Sequence, residues 1–264
     1  MLQKSGPWDF IPRTFVATVQ NSKRIPIITN ELKRIGITNY EFNEQIPPPK
    51  KTHLTVTLSC SDNHLQIYRK ALSKNYSFIC VLEDDVFIKN TKDISFVMKN
   101  VRQFIEQGDW DIIYLGHFPW MIGKEVFPRL RKGVFWCTHA YLINERAMRY
   151  MLKYSPEDML KIGRLAVPTL FDMFFKEGGG IDTFIAYSGI RNRIKIHAVV
   201  PMLIQQTSID NWSLKANLAQ WCSHGEWWNE RLFRVAWILY WVILLIIIYT
   251  IQRKNIPKIK KSYL

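Results

Sequence analysis

Apolar and polar positions alternate along the chain in short strand-like and longer helix-like segments that take turns. Arg13 to Val19 reads as a first strand. Pro26 to Gly36 reads as a short helix, with Leu32 and Ile35 turned inward and Gly36 ending it. After a loop at Pro47 to Lys51, Leu54 to Leu58 alternates as a strand would. Ser61 to Leu72 predicts a helix capped by Ser59 or Ser61, with Leu65, Tyr68 and Leu72 on one face. Phe78 to Leu82 is a continuous apolar run, as expected of a strand buried on both faces in a parallel sheet. Asp93 to Gln107 carries a full apolar stripe from Ile94 to Ile105 and predicts a helix. Asp111 to Leu115 reads as a buried strand ending at Gly116, and Val134 to Ile143 as a strand or strand pair. Asn144 is placed to cap a helix carrying Ala147, Met148, Met151 and Leu152 inward. Pro156 to Lys176 is a less regular helical stretch interrupted at Pro168. Gly178-Gly179-Gly180 is a flexible break, and Ile194 to Val200 a short strand. The alternation of strands and helices predicts one α/β domain with a mostly parallel central sheet, over residues 10–228.

The last part of the chain breaks this pattern. Residues 232–251 form an uncharged apolar run close to the ~20 residues that span a bilayer. Trp237, Tyr240, Trp241 and Tyr249 lie toward its ends, and Arg253 and Lys254 stop it. It predicts a single C-terminal transmembrane helix followed by a basic tail, 252–264. The first ten residues hold no apolar core of a signal peptide, which places the folded domain in the cytosol. The basic tail argues for the reverse orientation, and Asn75-Tyr76-Ser77 and Asn211-Trp212-Ser213 are sequons that a lumenal domain would expose. Beyond Glu230 there are seven basic residues and no acidic one, half of the net charge of +14. The remaining excess suits an anionic ligand or a membrane surface. No zinc-finger or RNP motif points to nucleic acid. The four cysteines are widely spaced and form no C-x-x-C pair, which excludes a zinc knuckle.

Chemistry concentrates directly after Leu82. Glu83, Asp84 and Asp85 follow the apolar run, and Val86 to Ile88 is apolar again. Three adjacent anions at a buried strand end repel one another and lose solvation. A divalent cation held by hard oxygen ligands removes both costs. In open α/β sheets, ligands bind beyond the carboxyl ends of strands, where this triplet would sit. The bland alternative is an acidic turn.

Several stretches, in order, resemble glycosyltransferase family 25, which includes bacterial lipooligosaccharide and procollagen galactosyltransferases. Val81 to Val86 matches its V-L-E-D-D-V block in full. Ser59 to Leu65 resembles its G-C-x-x-S-H-L block, with Ser59 and Asn63 departing from it. Trp110 to Gly116 and Thr138 to Asn144 are similar to W-D-x-x-x-L-G and T-x-A-Y-L-I-S, and Pro201 to Gln206 to P-x-L-x-x-Q. Val167 to Asp172 is similar to V-P-x-D with two extra residues. The family's first block is faint at Phe15 to Arg24, where Gln20 and Asn21 stand in place of the usual acid. The resemblance implies a GT-A fold, a divalent metal (usually Mn²⁺), a UDP-sugar donor and inversion at the anomeric carbon. It implies Asp85 and Glu83 as metal ligands, and Glu83 or Asp84 in support of the ribose or a metal-bound water. His64 gains standing from its block. Arg191 and Arg193, beside Gly189, are candidates to balance the diphosphate charge.

Inversion also needs a base for the acceptor hydroxyl. Asp172 is a lone acid in an apolar stretch, where burial would raise its pKa, and it falls where the family has an Asp. It is equally placed to cap a helix after Pro168. Asp210, in a polar segment, is the runner-up. The expected function is transfer of a sugar, galactose above others, from a UDP-sugar to a glycan, lipid-linked or protein acceptor. Two other classes stay open: a metal-dependent phosphoryl-transfer enzyme using the same carboxylates, and an inactive membrane-anchored adaptor.

Overall fold

The computed structural model describes residues 6–88, 91–166, 180–206 and 242. The chain divides into two units, Met1–Asn217 and Leu218–Leu264. The first unit holds a six-stranded sheet of order β2-β1-β3-β6-β5-β7. The strands are β1 (Thr14–Val19), β2 (Tyr40–Gln45), β3 (Phe78–Glu83), β5 (Ile112–Phe127), β6 (Leu130–Asn144) and β7 (Ile196–Val199). Five strands run one way and β6 runs against them, because β5 and β6 form a long hairpin inserted between β3 and β7. The α/β class and the mostly parallel sheet expected from the sequence are present.

The sheet is covered on both faces, as alternate residues of its strands require. Val16, Cys80 and Leu82 face one cluster with Ile28 and Leu32 of α1 (Ile25–Ile35) and Val97, Met98 and Val101 of α3 (Ile94–Glu106). Phe15, Ile79 and Val81 face the other, with Leu65 and Tyr68 of α2 (His53–Ser73) and Met148 of α4 (Glu145–Met151). Met159 of α5 (Pro156–Ala166) and Phe184 of α6 (Ile181–Ile190) complete it.

Three expectations are corrected. Leu54 to Leu58 is not a strand but the first turns of α2. Thr52 and Thr55 form a reciprocal cap there: the Thr52 hydroxyl accepts from Thr55 N at 3.1 Å, and the Thr55 hydroxyl accepts from Thr52 N at 2.9 Å. Helix α2 therefore starts well before Ser59 and Ser61. Strand β5 does not stop at Gly116 but runs on to Phe127, with register shifts that break the alternation. Tyr40 to Gln45 is a polar edge strand paired with β1, and Ile181 to Ile190 is a helix; neither was expected. Among the described residues no helix is long and apolar enough to cross a membrane. The run 232–251, Val242 excepted, and the tail 252–264 lie outside the described residues.

Candidate active site at the carboxyl end of β3

Strand β3 ends at Glu83, and the chain turns through Asp84 and Asp85 into β4 (Val86–Phe87). Two contacts hold the chain beyond the turn. Glu31 of α1 accepts from Ile88 N at 2.7 Å, and Arg34 donates to Ile88 O at 2.6 Å. Strand β4 then pairs antiparallel with β8 (Gln205–Gln206), Val86 opposite Gln206. This small ribbon delivers Gln206 to the acidic turn from 121 residues away in sequence.

Gly116 makes that delivery possible. Leu203 N and Ile204 N both donate to Leu115 O, at 2.8 and 3.0 Å, so the chain before β8 lies directly on β5. A Cβ on Gly116 would stand 2.4 Å from Ile204 O and 2.2 Å from His139 Nε2. Both are impossible approaches, so the position requires glycine for space.

Each acid has distinct partners. Asp84 Oδ2 accepts from Thr18 Oγ1 at 2.6 Å and Ser22 Oγ at 2.9 Å, and Arg24 Nη1 donates to Oδ1 at 3.1 Å. The same Arg24 nitrogen lies 3.3 Å from Asp85 Oδ2. Arg24 stands at the N-terminus of α1 and makes no side-chain cap, since a guanidinium offers only donors; those donors meet the acids. It is 49% exposed, whereas Asp84 and Asp85 are 11% and 6% exposed. Burial lowers the Arg24 pKa, but the three acids outweigh it and the net shift is upward. Asn63 of α2 donates to Thr18 O at 2.9 Å, which holds the end of β1 where Thr18 meets Asp84.

Gln206 Nε2 is 3.3 Å from Glu83 Oε2 and 3.3 Å from Asp85 Oδ2. Two carboxylate oxygens therefore converge on one electropositive donor. The other Glu83 oxygen, Oε1, accepts from Thr138 of β6 at 3.1 Å and lies 3.6 Å from His64 Nε2 of α2. Burial works to raise the Glu83 carboxyl; His64, the nearby His139 and the Thr138 hydroxyl outweigh it and hold it below the ordinary carboxylate value. The Asp182 carboxyl, at the start of α6, is pushed up, first by burial and then by repulsion from Glu83 among other contacts. Burial and the same acids push the Cys60 thiol well up.

A hard divalent cation fits this end of the sheet. The point now occupied by Gln206 Nε2 is already shared by Glu83 Oε2 and Asp85 Oδ2, and both are hard oxygen donors. Glu83, Asp84, Asp85 and His64, all expected at the site, are brought together. Arg191 and Arg193 are not. Arg191 follows the last turn of α6 and stacks 5.5 Å over Tyr187. Arg193 lines a cleft with Ser77, Asn144 and Arg149, at the opposite end of the sheet. Among the described residues, the cation facing the acids is Arg24. Arg24, Thr18 and Ser22 stand in the faint first block, and Thr138 and Gln206 in two of the other similar stretches, but nothing in those patterns marks them as partners of the acids. Asp172 and Asp210 lie outside the described residues.

The model of glycosyltransferase family 25 (LPS biosynthesis protein) matches residues 29–165, just over half of the chain. The chain belongs to glycosyltransferase family 25. Glu83, Asp84 and Asp85, with His64 and Thr138, fall inside the matched span. A glycosyltransferase 25 family member of Aedes aegypti is 25% identical over 124 residues, 44% of this chain and 20% of that protein. This family 25 chain thus spans about a fifth of the length of that curated relative. Among solved structures it is similar to a glycosyltransferase involved in glycosylation of the major capsid of PBCV-1. That match has 14% identity and a TM-score of 0.42, and covers 79% of this chain and 99% of the other. It is also similar to an apo UDP-glucose pyrophosphorylase, with 10% identity, 71% and 72% coverage and a TM-score of 0.39.

Proposed function

We propose that this family 25 chain is a metal-dependent, inverting hexosyltransferase of GT-A type that uses a UDP-sugar donor. The observation that carries the reading is the convergence of Glu83 Oε2 and Asp85 Oδ2 on one donor atom, with Arg24 beside them. Glu83 and Asp85 would hold a divalent cation, Mn²⁺ by family resemblance, which when bound neutralises the departing diphosphate as a Lewis acid. Asp84, saturated by Thr18, Ser22 and Arg24, orients the turn. Arg24 is half exposed and pairs with both aspartates, so it is free to swing from Asp85 to a phosphate oxygen when a cation takes its place.

Asp172 remains the proposed base for the acceptor hydroxyl, with Asp210 next. Galactose is the proposed sugar, and a glycan, lipid-linked or protein hydroxyl the proposed acceptor. The run 232–251 is proposed as a membrane anchor with the domain on the cytosolic side. A screen of UDP-sugars for UDP release, with and without Mn²⁺, tests the activity. Metal-dependent release from one sugar nucleotide is expected; no release from any of them, with no calorimetric heat for UDP and Mn²⁺, refutes it.

A further inference from the structure

The Glu83 carboxylate has a second side. Its Oε2 belongs to the acidic turn, whereas Oε1 faces α2. There Cys60 and His64 stand four residues apart, one helical turn, so they share a helix face. The ligating atoms of Cys60, His64 and Glu83 all lie within 4.8 Å of one another. His64 is fully buried, and its Nε2 has no hydrogen-bond partner among the described residues. The 3.6 Å to Glu83 Oε1 is too long for a hydrogen bond. A buried ring nitrogen aimed at a carboxylate and a thiol, and bonded to neither, carries a desolvation cost that a cation between the three would remove.

The remaining features also suit a cation. His64 Nδ1 lies 2.7 Å from Tyr141 Oη, which can accept its N–H and so leave the Nε2 lone pair free. Cys60 is in no disulfide, which leaves its sulfur available as a ligand. The donor set is sulfur, nitrogen and oxygen. A thiolate and an imidazole favour zinc over the harder manganese. Tetrahedral zinc, with bonds of about 2.0–2.3 Å, sets ligand atoms about 3.3–3.6 Å apart, so the cluster has to close by about 1 Å.

We propose that Cys60, His64 and Glu83 form a zinc-type cation site, separate from the Glu83–Asp85 pair that faces Gln206, with Glu83 as the carboxylate between the two. Binding displaces one proton from the Cys60 thiol to solvent and leaves a fourth position for water. The site ties α2 to the end of β3. It does not depend on the sugar-transfer reading.

Cobalt serves as the optical probe. The full-length chain should bind Co²⁺ with a thiolate-to-cobalt charge-transfer band in the near ultraviolet, and Zn²⁺ should bleach it. Cys60→Ser should abolish the band, whereas Cys137→Ser and Asp85→Asn should keep it. Zn²⁺ should slow alkylation of Cys60 at least ten-fold, and Mn²⁺ should not. Absence of the band in the wild type, its survival in Cys60→Ser, its loss in Cys137→Ser, or equal protection by Mn²⁺ would each overturn the assignment. UDP and Mn²⁺ binding measured on Cys60→Ser separates failure of this site from failure of the donor site.

Discussion

Asp111 and Asp85 are both buried acids on the ends of strands, 2% and 6% exposed, yet the structure treats them in opposite ways. Each oxygen of Asp111 has its own donor: Arg146 Nε at 2.7 Å and Lys195 N at 2.8 Å. That acid fastens β5 to α4 and to the entry of β7. At the other end of the sheet Asp85 draws on donors that it shares with the neighbouring acids. Arg24 divides itself between Asp84 and Asp85, and Gln206 between Glu83 and Asp85. Private donors make a buried carboxylate a structural fastener. Shared donors leave a surplus of negative charge, and that surplus is what a cation or a cationic ligand reads. Burial alone would have ranked the two acids equally.

The largest expected effect tests the site side of this contrast. Asp85→Asn should lower turnover by roughly 10²-fold or more and abolish metal-dependent UDP binding. Its thermal midpoint should stay near wild type or rise, because one member of a repelling group is gone. A marked loss of stability with metal binding intact would make Asp85 a fastener like Asp111. Asp111→Ala should do the reverse. It leaves Lys195 N without its acceptor, while the exposed Arg146 is rehydrated, at a cost of about 1–3 kcal/mol in urea unfolding, with UDP affinity per folded molecule unchanged.

Acid should strain the fastener end next. His197, beside Asp109 and Asp111, has its pKa lowered to about 4, first by burial and then by Lys132, while the two acids pull the other way. It is neutral in the fold, whereas the unfolded chain takes up a proton below about 6.5. Its contribution is therefore intact above about pH 6.5 and is lost as pH falls toward 4, by at most about 3 kcal/mol. His197→Leu should flatten the urea midpoint over that window; an unchanged slope would assign the acid sensitivity elsewhere. The smallest effect is expected for Gly116→Ala. The added methyl must push the chain before β8 off β5, costing about 1–3 kcal/mol. It should also strengthen metal-dependent UDP binding, because Gln206 Nε2 holds the point between Glu83 and Asp85 that a cation would take. A stability loss with unchanged binding would free Gln206 of any role.

The strand under the acidic turn was legible because an uninterrupted apolar run that meets three acids fits a buried strand end and little else. Helix α3 was legible from its stripe, and the ends of α1 and α4 from Gly36 and Asn144. The start of α2 was not, because Leu54, Val56 and Leu58 alternate with threonines as a strand would. Its Thr52–Thr55 cap also lacks the Glu or Gln that usually marks a reciprocal cap. Strand β2, Y-E-F-N-E-Q, lies at the sheet edge, where polar residues are tolerated and no apolar signal is needed. Helix α6 is apolar nearly all round, so it had no period to find. The acids of the site were read directly, but their partners were not. Thr18, Ser22 and Arg24 reach Asp84 across 60 to 66 residues, through a parallel crossover that no local pattern encodes. The missing acid after β1 looked like a loss. The structure fills that region with two hydroxyls and a guanidinium turned toward Asp84. Arg191 and Arg193 stood out by charge type alone, and topology sends them to the far end.

The lone antiparallel strand also bears on the order in which the chain can fold. The β5–β6 hairpin closes between Phe127 and Leu130, neighbours in sequence, whereas β1 must find β3 with Thr14 against Cys80. Loop closure favours the hairpin as the early structure and the parallel half as the late one. Thr138 belongs to the early piece; Glu83, Asp84 and Thr18 belong to the late one. The mutual repulsion of the acids is then deferred to a step at which most apolar burial has already been gained. Pulsed hydrogen exchange during refolding should find Ile113 and Leu142 amides protected before those of Val16 and Val81. Simultaneous protection would mean that the acids are assembled with the core rather than after it.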